Sequence, residues 1–169
     1  MDDDRTLTRQ GLIVSRFAQL GLHLAVAESL TAGLVAASIA DVPGASRVLQ
    51  GGIVAYQTSL KHRLLGVDKT LLAERGAVDP QVAEEMALGA RERLSEGVIS
   101  ATIGVSTTGV AGPDWQDDEP PGTVFIGLAW DREITHYAHS FGGSRQDIRE
   151  ATVAAALDHL WEHLDPGLR

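Results

Sequence analysis

LHLAVAESLTAGLVAASIA, residues 22–40, is the stretch that decides the fold. Leu22 to Ala27 form a short apolar run, the mark of a buried strand. Glu28, Ser29 and Thr31 interrupt it. A small-residue segment through Ala40 then reads as a helix, with Thr31 as its cap and Ala32, Gly33, Ala36 and Ala37 permitting close packing. A strand that passes through a polar turn into a helix is the working unit of an α/β protein. Ser29 stands where the free N–H groups of a helix start gather. Two readings of that turn are open: a helix cap, or a serine held beside backbone donors and a base.

Outward from this unit the pattern repeats. Residues 6–20 place Leu12, Ile13, Phe17 and Leu20 at helical spacing, and Gly21 ends that helix. DVPGAS is a turn, and RVLQGGIVAYQ is a strand whose Gly51 and Gly52 let something approach the backbone. Helices are predicted from Thr58 to about Gly66, over 70–75, and over 80–95 with Pro80 at its first turn. VISATIGVST is a strong strand. GTVFIGLAWD and ITHYAHSF form a strand pair, and a final helix runs from about Ser144 to Leu164. Alternating elements followed by a strand pair predict one α/β domain over 1–169 with a mixed sheet. Residues 1–5 are expected to be a disordered tail.

Composition narrows the function. The chain has 169 residues, a net charge of −9 and no cysteine. That excludes a disulfide framework, a thiolate nucleophile and a cysteine-based zinc site. The acidic balance argues against nucleic acid as a partner, because phosphate neutralisation needs clustered Lys and Arg. No apolar run approaches the ~20 residues of a membrane span. The acidic N-terminus lacks the features of a secretory signal, so the cytoplasm is the expected compartment.

Three polar, glycine-rich segments follow predicted strands: AESLTAG, GGIVAYQTSLK and STTGVAGP. Ligands of open α/β sheets bind beyond the carboxyl ends of strands, so the three can converge. Ser29 needs a base to become a nucleophile. Lys61 serves if burial lowers its pKa, and Tyr56, five positions earlier, could orient it or pass a proton. Read alone, Lys61 is equally a solvated surface lysine. Thr107, Thr108, Gly109 and Gly112 could present hydroxyls and N–H groups to a phosphate, or form an ordinary turn. Glu28 is either a ligand contact or a charge satisfied by the next helix. The acidic loop PDWQDDEPP, with Trp115, is a lid or an exposed tip. His159 and His163 share a helical spacing, and His136 and His139 lie close in sequence. Without an H-E-x-x-H pattern, no metal is expected.

Together these segments resemble the CinA C-terminal domain family, the nicotinamide mononucleotide deamidases. AESLTAGL is similar to that family's A-E-S-C-T-G-G-L. DVPGAS, GGIVAY with a following lysine, TGVAGP, PPGTVFIG and GSRQDIR match its later motifs in order, from about residue 6 to 164. The resemblance implies a three-layer α/β/α sandwich and hydrolysis of the amide of nicotinamide mononucleotide (NMN) to nicotinic acid mononucleotide and ammonia, within pyridine nucleotide salvage. It implies no cofactor and no metal, and a homo-oligomer whose neighbour can complete the site. It puts the catalytic roles on Ser29, Lys61 and Tyr56. Substrate contacts fall on Glu28, Thr31, Gly33, Gly51, Gly52, Thr107, Thr108, Gly109, Gly112, Arg145 and Arg149. Backbone N–H groups near Ser29 or Gly52 would hold the oxyanion. Leu30 and Ala32 depart from the family's Cys and Gly. The longer relatives' N-terminal nucleotide-processing domain is not in this sequence. The alternative expectation is a catalytically silent nucleotide-binding or competence- and repair-associated module.

Overall fold

The computed structural model describes residues 8–95 and 100–164. The expected tail, the first residues of the first predicted helix and the start of VISATIGVST lie outside the described residues. A five-stranded sheet has the order β2-β1-β3-β4-β5. Its strands are β1 (Leu24–Glu28), β2 (Leu49–Val54), β3 (Ile103–Gly109), β4 (Thr123–Trp130) and β5 (Glu133–Ser140). The first three run parallel, and β4 and β5 complete the sheet antiparallel. It is the mixed sheet that the alternation predicts.

Helices α1 (Arg9–Leu20), α2 (Leu34–Ala40) and α6 (Arg145–Leu164) cover one face, and α3 (Thr58–Leu65), α4 (Lys69–Arg75) and α5 (Pro80–Arg93) cover the other. The result is a three-layer α/β/α sandwich. Strand periodicity sorts the core between the faces. Leu24 and Val26 of β1 join Ile13, Phe17, Ile39 and Leu160 on one side, while Ala25 and Ala27 meet Leu65, Val82 and Met86 on the other. The α5 face is thin because the strands there carry little side chain. A Cβ on Gly104 or Gly127 would run into the carbonyl of Ala87 or Ala83, so glycine is what lets α5 lie directly on β3 and β4.

Local chemistry sets the element ends. The Thr8 hydroxyl accepts from Gly11 N–H, and Gly21, at φ 65°, closes α1 by donating to Phe17 O. Asp68 caps α4 and Asp79 caps α5, each carboxylate accepting two backbone N–H bonds. The predicted cap of α2 is different. That helix starts at Leu34, later than Thr31, and its N-cap Gly33 offers no side chain.

Because β1, β2 and β3 are parallel, their carboxyl ends share one edge of the sheet. The chain leaves β1 towards β2 through α2 on one face, and returns from β2 to β3 through α3–α5 on the other. This reversal opens a crevice at the ends of β1 and β3. Ser29 and Gly109 stand there.

Candidate active site

The turn after β1 is built by Glu28. Its side chain is 1% exposed. One carboxylate oxygen accepts from Gly33 and Val35 N–H at 3.0 Å, the other from Ala36 N–H at 2.9 Å. Glu28 thus neutralises the positive end of α2 and satisfies its free donors. Of its two sequence readings, the structure places it under the helix. Thr31 does not cap α2 either: its hydroxyl bonds that of Thr107 at 2.7 Å, in the interior.

From this base the turn presents Ser29. Ser29 N–H donates to Thr107 O, and Ala32 N–H closes the turn on Ser29 O. Arg149 holds the outside, donating to Leu30 O at 2.9 Å and Thr31 O at 3.1 Å. The N–H groups of Leu30 and Thr31 meet no acceptor among the described residues. Ala32 sits in the left-handed region at φ 51°, a conformation costly for a residue with a Cβ.

Lys61 comes to the same point from α3. It is 0% exposed. Its Nζ donates to Ser29 Oγ at 2.9 Å and to Ala55 O at 2.8 Å, with Tyr56 O further away at 3.4 Å. Burial pushes its pKa from 10.5 down to about 8, and the negative charge of Asp117 opposes the fall. Lys61 is therefore not the solvated lysine its composition suggests. A buried amine with a pKa lowered to about 8 and a hydroxyl within reach can act as a base and its nucleophile.

A cleft of about 240 Å³ opens in front of Ser29, walled by Tyr56, Gly109, Gly112, Trp115 and Arg145. Lys61 does not line it; Ser29 stands between the amine and the cleft. Tyr56 reaches Lys61 only through its carbonyl. Its phenol instead accepts from Arg145 Nη2 at 2.6 Å, and Arg145 Nη1 donates to Gly112 O at 2.6 Å.

Several expected ligand contacts lie elsewhere. The Thr107 hydroxyl pairs with Thr31, and the Thr108 hydroxyl donates to Ala77 O at 2.7 Å, so neither faces a phosphate. Gly51 and Gly52 lie within β2, paired with Ala25 and Val26. What approaches them is protein: Leu94 beside Gly51, and Ala36 of α2 against Gly52. Gly33 is the N-cap of α2. The carbonyl of Ala55, which fixes Lys61, leaves no trace in side-chain identity. Asp117 is equally hidden in an acidic run. It accepts from Ala77 and Val78 N–H at 2.7 and 3.2 Å, pinning the loop that carries Trp115.

No group of three or more metal-ligating side chains forms among the described residues. His139 and His159 meet through their Nε2 atoms at 2.9 Å, and Tyr137 stacks on His159 with ring centroids 3.6 Å apart. This pair joins β5 to α6 rather than lining the cleft. No helix among the described residues is long and apolar enough to cross a membrane.

Known proteins share this fold. The family described as the CinA C-terminal domain matches residues 7–164. A CinA-like protein of Frankia casuarinae is 46% identical over 149 residues, covering 88% of this chain and 33% of that protein. One of Geobacter sulfurreducens is 44% identical over 149 residues, covering 88% and 35%. The chain thus spans about a third of the length of these curated relatives. Among solved structures, the competence/damage inducible protein CihA of Agrobacterium tumefaciens superposes with a TM-score of 0.86 at 33% identity, over 98% of both chains. A competence-damaged protein (CinA) superfamily member from Enterobacter cloacae gives 0.85 at 29% identity, over 97% of this chain and 96% of that one.

Proposed function

The chain belongs to the CinA C-terminal domain family, and from that premise we propose that it is an amidase hydrolysing the carboxamide of NMN. The observation that carries this reading is the buried Lys61 amine, 2.9 Å from Ser29 Oγ and with its pKa lowered to about 8.

Neutral Lys61 takes the proton of Ser29 as Oγ attacks the amide carbon. The oxyanion that forms is met by the N–H of Leu30, which lines the cleft and replaces Gly52 as the proposed donor. One such donor supplies ~2.7–4 kcal/mol of transition-state stabilisation in comparable acyl transfers. Lys61 returns its proton to the amide nitrogen, the C–N bond breaks and ammonia leaves. Water then attacks the Ser29 ester, losing a proton to Lys61, which reprotonates Oγ as the acid departs.

Arg145 takes the phosphate, helped by backbone of the 109–112 segment. Tyr56 holds Arg145 in place and is a positioning residue in this reading, as are Arg149 and Glu28. Assembly into a homo-oligomer, placement in the cytoplasm and a role in pyridine nucleotide salvage belong to the same proposal. The names of relatives point to competence or damage induction, but the net charge of −9 disfavours direct DNA contact. The test is product analysis: incubation with NMN is expected to yield ammonia and nicotinic acid mononucleotide in equal amounts. Saturable binding of NMN without either product would leave a silent binding module in its place.

A further inference from the structure

One wall of the cleft is unlike the rest. Trp115 is 67% exposed, yet it lines the cleft that Ser29 faces. An indole this open to water keeps most of its apolar surface available to whatever enters the cleft. The loop that carries it is built rather than slack. Gln116 and Glu119 exchange both backbone hydrogen bonds, at 3.1 and 2.9 Å. Asp117 and Asp118 between them have φ of 52° and 62°, the two positive values of a type I′ turn. The Asp117 carboxylate then ties this turn to Ala77 and Val78 N–H. A pinned turn holds the indole at the rim before anything binds, so little ordering cost falls on the complex.

The charge around the cleft is split. Arg145 is one lining residue, and Asp114, next to Trp115, is another. An aromatic face beside a carboxylate attracts a cation, whereas the arginine attracts an anion. We infer that Trp115, with Asp114, is a specificity determinant that selects a positively charged aromatic ring, a quaternised pyridinium, over its neutral counterpart. This deepens the reading of the site as an NMN amidase and rests on it, because the ring of NMN is a pyridinium and its far end is a phosphate. It concerns recognition and leaves the chemistry at Ser29 untouched.

The probes are 1-methylnicotinamide, a cationic pyridinium amide, and nicotinamide, its neutral parent. Their affinities are measured by calorimetry on Ser29→Ala protein, which blocks turnover, with and without Trp115→Ala or Trp115→Phe. The cation is expected to bind about 2- to 30-fold tighter than the neutral amide, the span of a cation–π contact. Trp115→Ala removes that preference, and Trp115→Phe restores part of it. In otherwise wild-type protein, Trp115→Ala is expected to raise KM for NMN by a similar factor, with the smaller effect on kcat. Equal affinity for the two probes, no binding of either, or a preference that survives Trp115→Ala overturns the inference. Ammonia release from NMN by the wild type is scored separately. Release without cation preference leaves the amidase standing and removes the role of Trp115; cation preference without release does the reverse.

Discussion

Glu28 Oε1 accepts the N–H of Ala36 at 2.9 Å, reaching beneath the turn that presents Ser29. The carboxylate and the serine are neighbours in sequence with opposite assignments, one holding the helix and the other facing the cleft. Glu28→Ala leaves three N–H groups without their acceptor. The expected loss is at least about 1 kcal/mol of stability, since an unsatisfied buried donor costs ~1–3 kcal/mol and the Val35 N–H is the buried one of the three. Denaturant unfolding of the variant checks this, and Glu28→Gln should recover part of the loss. Unchanged stability would mean that water serves the helix end as well as the carboxylate does.

Lys61 gives a pH dependence of known sign. The reactive form is the neutral amine, so kcat/KM for amide hydrolysis should rise with pH and level off above about 8. The same group has a stability signature. Between about 8 and 10.5 the unfolded chain binds the proton that the folded protein has released, so stability from this group grows as pH rises through that window. Below it the folded state carries a penalty of roughly 3 kcal/mol. Compared with Lys61→Met, the wild type should therefore gain stability from about pH 8 to 10. Parallel stability profiles of the two proteins would contradict a buried, depressed lysine.

Ala32 supplies a test in the other direction. At φ 51° its Cβ works against the backbone. Ala32→Gly should stabilise the fold by about 0.5–1 kcal/mol, the relief of left-handed strain less the extra freedom of the unfolded glycine. Thermal unfolding measures it. A lower midpoint would show that the turn holds alanine without strain.

The histidine seam between β5 and α6 should make the protein acid-sensitive. His139 and His159 both lie below the ordinary histidine pKa, first through burial and then through neighbouring charge; Glu162 and Asp158 oppose the shift at His159. The unfolded chain takes up protons before the folded one does, so stability falls as pH drops below about 6.5. His139→Asn should flatten that fall, read as the change in thermal midpoint between about pH 7.5 and 5.5. An equally steep fall in the variant would assign the acid response to other groups.

The sheet and its layers were legible because their signals are local. LHLAVA, VISATIGVST and GTVFIGLAWD are apolar runs bounded by turns, and Gly21 and Gly66 end their helices in the left-handed region. The pairing of Ser29 with Lys61 was legible only through the resemblance, since no spacing rule links residues so far apart in the chain. The roles of Glu28, Thr31, Thr107 and Thr108 were not legible. Each is a polar side chain near a strand end, and only the three-dimensional arrangement shows whether its hydrogen bonds are met inside or left for a ligand. Gly51 and Gly52 misled for a related reason. A glycine announces a close approach, but not whether helix or substrate makes it.

In the proposed reaction Ser29 and Lys61 together cleave an amide. Its most direct test is ammonia release from NMN, with EDTA present, by wild type, Ser29→Ala and Lys61→Met proteins shown to be folded. Steady release by the wild type is expected, with a loss of at least about a thousand-fold in each variant, as when a member of a comparable nucleophile–base pair is removed. Turnover by Ser29→Ala at the wild-type rate would contradict it.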